Sequence, residues 1–109
     1  PTELPGSALA GEAIYEFRCA ACHGEAGRGD GRAADALVTV SPADFTQDSL
    51  LAAQDWDAVY TRIREGGQQV HGSSMPPWGI VLTDQEIWDL VAYLGTFQEG
   101  ILSQAPWQR

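Results

Sequence analysis

The sequence predicts an all-α fold with long connecting loops. Apolar residues recur at helical spacing in three segments, and the clearest of these opens on a capping box. The stretches between them are rich in Gly, Ser and Pro. Nothing reads as a convincing β-sheet. At 109 residues the chain fits one domain. The core is expected at 7–97, with 98–109 as a C-terminal tail. No internal repeat or low-complexity tract stands out.

The first helix is expected over 8–21, with Ser7 as N-cap and Ala10, Ile14, Phe17 and Ala21 at helical spacing. The segment 24–31 holds four glycines among mixed charges and must be loop. A short helix is expected at 33–38, closed by a Ser41-Pro42 turn. Asp55 caps the next helix, Trp56–Glu65, in which Trp56, Val59, Tyr60 and Ile63 follow the amphipathic pattern. Gly66-Gly67 stops it, and 68–80 reads as an irregular loop. Thr83-Asp84-Gln85-Glu86 is the capping box of the last helix. Ile87, Leu90, Val91 and Leu94 form its buried stripe, and it ends near Phe97. Trp107 is an isolated anchor in the tail. The total is about four helices.

The chemistry sits in Cys19-Ala20-Ala21-Cys22-His23, the attachment signature of a c-type haem. On a helical turn, positions i, i+3 and i+4 share a face, so both thiols and the imidazole point the same way. Each thiol can add to one haem vinyl group, and His23 then lies under the ring where it can bind iron. The alternatives fit less well. A thioredoxin-like dithiol would follow a strand, and a helix leads in here. Zinc needs about four ligands, whereas the chain has two Cys and two His. A disulfide between i and i+3 within a helix is badly oriented.

Met75 is the chain's only methionine and sits before Pro76-Pro77, outside any expected helix. Pro76 restricts Met75 to an extended conformation, which helps aim the thioether. As a sixth ligand, Met75 would favour Fe(II) and raise the reduction potential. His71 is the competing ligand. It would lower the potential, and each shift of about 59 mV changes a one-electron equilibrium tenfold.

The formal net charge is −9, and every basic residue is Arg. Such a chain is a poor candidate for binding nucleic acid or an anionic membrane. It suits a redox partner with a basic docking surface. The segment 33–61 holds five Asp and no Arg or Lys, so it is placed to steer such a partner. The longest apolar stretches fall far short of a membrane span. No basic n-region with an apolar h-region opens the chain, which starts on Pro1. A processed product is therefore expected. Covalent haem attachment in bacteria takes place outside the cytoplasmic membrane, so the expected location is the periplasm, with an export signal removed.

These features together resemble a class I, monohaem cytochrome c of the bacterial type over roughly 7–97. Besides Cys19-x-x-Cys22-His23 and Met75-Pro76, Gly11 and Tyr15 match the positions where that family crosses its first and last helices. Leu90 and Tyr93 match the partner positions. The resemblance implies a helical shell around one covalently bound haem, with one haem edge exposed near the thioethers. It implies that a Pro carbonyl, here Pro42, accepts from His23 Nδ1. It also implies an electron carrier of a respiratory or related chain, not an enzyme, with His23 and Met75 as axial ligands. Trp56, Trp78, Arg62 and Arg64 are candidate propionate donors, although core packing is the safer reading for the tryptophans. Two other readings stay open: a haem domain or subunit of a larger oxidoreductase, and a haem enzyme or gas sensor with an open sixth site. Monomer is the default state for a small carrier.

Overall fold

A computed structural model of the chain describes residues 6–34, 42, 44–67 and 75–97. His71, Trp107, the 98–109 tail and most of the expected helix at 33–38 lie outside the described residues. The described residues include five α-helices and a 3-10 turn at Trp78–Ile80, and none of them is in a strand.

Helix α1 (Ala8–Arg18) opens on Ser7, whose hydroxyl accepts from the Ala10 N–H at 3.2 Å. It stops earlier than the expected 21. Cys19 interrupts it, and α2 (Ala20–His23) begins one residue later. The carbonyls of Ala21, Cys22 and His23 accept from the N–H groups of Ala33 (2.7 Å), Gly31 (3.0 Å) and Gly29 (2.8 Å). The glycine-rich loop thus doubles back and satisfies the helix end that further turns would otherwise have satisfied.

The face that α1 buries differs from the expected one. Gly11 and Tyr15 are buried and Ile14 packs at the margin of the core. Ala10 and Ala21 are exposed, and Phe17 is 80% exposed with the Arg18 guanidinium 5.2 Å from its ring centroid. The stripe is rotated by about one residue, roughly 100°. Its cause is the crossing with α5 (Asp84–Gly95). A Cβ on Gly11 would lie 2.0 Å from the Asp89 carbonyl oxygen and 2.9 Å from Tyr93 Cβ. Only glycine lets the two helices come this close, so the face containing Gly11 turns inward at the expense of a more apolar one. The family crossing expected at Gly11, Tyr15, Leu90 and Tyr93 is present: the Tyr15 and Tyr93 rings lie 5.2 Å apart and Leu90 is buried.

Helix α5 carries the expected capping box. Glu86 N–H donates to Thr83 Oγ1 at 3.1 Å, and Thr83 N–H donates to Glu86 Oε1 at 2.8 Å. Ile87, Leu90, Val91 and Leu94 are all buried, each contributing about 1.5–3 kcal/mol by leaving water. Asp89 on the same helix is also buried, at 8% exposure. It accepts from the Ser7 N–H at 2.8 Å and from Gln85 Nε2 at 3.0 Å, tying the start of α1 to α5.

Helix α3 (Ser49–Ala52) was not expected. Asp48 caps it, accepting from Leu50 N–H at 2.9 Å and Leu51 N–H at 3.2 Å, and Leu51 is buried. Helix α4 (Trp56–Glu65) runs as expected from the Asp55 cap and buries Val59 and Ile63. Tyr60 joins it to α5: its hydroxyl donates to Asp84 Oδ1 at 2.7 Å, and its ring stacks on Trp88 at 4.7 Å. The hydrogen bond to Asp84 holds the Tyr60 hydroxyl above its ordinary pKa, with burial a smaller cause. Within the expected irregular loop, Trp78–Ile80 forms a 3-10 turn.

Replacing Thr83 by Ala removes a cap and should lower the stability of the haem-loaded protein by about 1 kcal/mol. Gly11→Ala should cost more, about 3 kcal/mol, because two backbones must separate. Urea denaturation followed by far-UV circular dichroism checks both. Equal costs would contradict the close crossing.

Candidate haem site

The break at Cys19 places the motif on a single turn. Cys19 caps α1 and starts α2, while Cys22 and His23 close α2. The N–H groups of Cys22 and His23 both donate to the Cys19 carbonyl, at 3.2 and 3.0 Å. Both thiols are free of disulfide bonds. The Cys19 thiol is pushed up to about 12, by burial first and by Cys22 second, with Arg18 partly offsetting them. At neutral pH it is an uncharged group in an apolar setting. No group of three or more His, Cys, Asp or Glu suited to a metal ion occurs among the described residues.

Aromatic side chains frame the turn. The Phe45 ring stacks on the His23 ring, with centroids 4.5 Å apart and planes 18° from parallel. Phe45 stacks in turn on Phe97 at 5.8 Å and meets Tyr15 edge-on at 6.3 Å. The buried Tyr15 hydroxyl donates to the Gly24 carbonyl at 2.5 Å, directly after His23. Burial is the main cause raising the pKa of this hydroxyl, so it stays a donor. Phe45 was not singled out from sequence. It is the middle residue of an Asx turn, in which Asp44 Oδ1 accepts from Thr46 N–H at 2.9 Å, and lies on no periodic face. The Tyr15 hydroxyl bond was equally hidden, because spacing reports the ring and not its polar tip.

Met75 is partly buried and packs against the same apolar core as Cys19. Its carbonyl accepts from the Gly67 N–H at 3.0 Å, at the end of α4. The proposed propionate donors separate into two kinds. Trp56 and Trp78 pack against the core, and Trp78 has the Arg18 guanidinium 5.6 Å from its ring centroid. Arg62 and Arg64 are exposed. Arg64 pairs with Glu65 at 3.2 Å, and Arg62 lines a shallow groove of about 350 Å³ with Asp57, Thr61 and Glu65.

Two unbonded thiols and an imidazole on one turn, beside an apolar core, fit a haem held by thioether bonds. Those bonds are uncharged and tolerate burial where a thiolate would not. Residues 6–94 match a family described as "Cytochrome C oxidase, cbb3-type, subunit III". The chain belongs to this family of c-type cytochromes. As a c-type cytochrome it takes a covalently bound haem, and its chemistry is haem-based electron transfer.

This c-type cytochrome is similar to cytochrome c6 of Rippkaea orientalis, with 28% identity over 94 residues, covering 86% of this chain and 74% of that protein. It is 33% identical to cytochrome c4 of Thiocapsa roseopersicina over 91 residues, covering 84% of this chain and 40% of that one. A chain in the solved structure of a reducing HAO-like protein complex of Kuenenia stuttgartiensis superposes with a TM-score of 0.69 and 33% identity. That match covers 84% of this chain and 44% of the other. The chain therefore spans less than half the length of the last two. All of these matches agree with the small helical cytochrome c fold expected from the sequence.

Proposed function

We propose that this c-type cytochrome is a one-electron carrier in which His23 and Met75 are the axial ligands of the iron. The observation that carries this reading is the placement of Met75, held by its own backbone against α4 and packed on the core that also receives Cys19. The haem, when bound, supplies the Fe(III)/Fe(II) couple. His23 and Met75 would occupy both axial positions, leaving no position at which a substrate could react and limiting geometric change on reduction. Cys19 and Cys22 retain the group when the protein meets a partner. The Pro42 carbonyl would accept from His23 Nδ1, fixing the tautomer and tuning the metal.

Partner choice follows from charge. Of the five Asp in 33–61, Asp48 and Asp55 cap α3 and α4, and Asp44 closes the turn around Phe45. These caps do not neutralise the carboxylates, so the acidic stretch still attracts a basic docking surface. No helix among the described residues is long and apolar enough to cross a membrane. The site of action we assign is the periplasm.

A second reading has its own support. The matched Kuenenia stuttgartiensis chain belongs to a complex, and the family description names an oxidase subunit. In that reading the same residues pass electrons within a larger oxidoreductase. Elution of the natively expressed protein, alone or with further subunits, separates the two.

Met75→Ala should lower the midpoint potential by at least about 60 mV, a tenfold shift, and open the ferrous protein to carbon monoxide. Redox titration and visible spectra check this, and an unchanged potential without carbon monoxide uptake would contradict Met75 ligation. Replacing Asp44, Asp48, Asp55 and Asp57 together by Asn keeps the caps while removing charge. Stopped-flow oxidation by tris(phenanthroline)cobalt(III) should then slow at low salt and lose most of its salt dependence. Unchanged salt dependence would remove the steering role.

A further inference from the structure

We propose that Gly66 and Gly79 are positioning residues that clamp the Met75 segment onto the end of α4 and thereby keep the thioether available to the iron. The proposal rests on the reading of Met75 as an axial ligand. Both glycines do something that helix termination does not require. Gly66 closes α4 by donating to the Arg62 carbonyl at 2.8 Å, and its backbone lies at φ +69, ψ −150. That conformation is essentially confined to glycine. A Cβ on Gly66 would lie 2.6 Å from the Met75 carbonyl oxygen and 2.6 Å from both the carbonyl carbon and oxygen of Pro76. All three are backbone atoms, so no side chain can swing aside. The adjacent Gly67 N–H then donates to the Met75 carbonyl at 3.0 Å.

The second contact lies four residues past Met75. A Cβ on Gly79 would lie 2.7 Å from Arg64 Cγ and 2.9 Å from the Arg64 carbonyl oxygen. The stretch from Met75 to Gly79 is therefore laid on the last turn of α4 at both ends. Between them, Pro76 and Pro77 remove two N–H donors and restrict the backbone, and Pro77 is extended at φ −81, ψ 96.

Such a clamp suits a thioether. Its neutral sulfur makes a comparatively weak bond to iron, so how often that bond is made depends on how well the segment is held in place. Detachment of Met75 requires its backbone to lift from α4. With glycine at 66 and 79 the laid-down state carries no penalty. With alanine at 66, lifting relieves both the clash and the backbone strain, so the detached population should rise about ten- to hundredfold.

The test is the rate of cyanide binding to the ferric, haem-loaded protein, read together with the weak Met-to-iron absorption band. Gly66→Ala should bind cyanide about ten- to hundredfold faster and show a weakened band. Gly79→Ala should move in the same direction by less, because Arg64 Cγ can yield while the Arg64 carbonyl cannot. Ser7→Ala, which removes the side-chain cap of α1 and touches neither glycine of the clamp, should keep the parental rate and band. Met75→Ala marks the fully released limit. A parent protein with the band and slow cyanide binding, whose folded Gly66→Ala and Gly79→Ala variants behave like it, overturns the clamp alone. A parent without the band, binding cyanide as fast as Met75→Ala, overturns the ligand reading and the clamp with it. Should Gly66→Ala fail to accumulate folded, Gly79→Ala decides.

Discussion

The close crossing of α1 and α5 at Gly11 sets the geometry of everything that follows it in the chain. With no side chain at Gly11, the Asp89 carbonyl and Tyr93 Cβ can meet the α1 backbone, and the buried carboxylate of Asp89 holds the Ser7 N–H from the same side. That contact decides the rotation of α1. The rotation puts Tyr15 at 0% exposure among Phe45, Tyr93 and Phe97. One turn further on, it brings Cys19 to the core margin and lets the Tyr15 hydroxyl reach the Gly24 carbonyl. A shift of the crossing would move the cysteine turn with it.

The two proposed axial ligands are held by different means. His23 is part of a helical turn whose carbonyls are taken up by the returning glycine loop, and its ring lies against Phe45. Met75 has no helix of its own. It depends on backbone contact with the end of α4, made at glycine and bordered by proline. A rigid turn on one side and a clamped extended segment on the other suit a site that must keep its geometry in two oxidation states.

Legibility in the sequence followed the range of the interaction. Caps are local, so Ser7, Asp55 and the Thr83–Glu86 box were readable and are present. The cysteine–histidine turn was readable for the same reason, because its spacing is its chemistry. Helix α3 was not, since four residues are too few to show a period, although Asp48 before Leu50-Leu51 was a usable signal. Apolar spacing on α1 favoured Phe17, which is exposed, whereas the family resemblance pointed to Gly11 and Tyr15, and tertiary contact follows the resemblance. Glycine carries no hydropathy signal, and its value here comes from what lies opposite. Phe45 on His23, the buried Asp89 and the fit of Gly66 against Met75 are likewise long-range and invisible to periodicity.

The central claim, a haem iron bound by His23 and Met75, is tested most directly by proton NMR of the reduced, haem-loaded protein. A methionine methyl held on the iron lies over the face of the haem, whose ring current moves it well upfield of the polypeptide envelope. The account predicts one such methyl resonance, lost in Met75→Ala. A reduced spectrum with no upfield methyl, or one that survives that replacement, would contradict it.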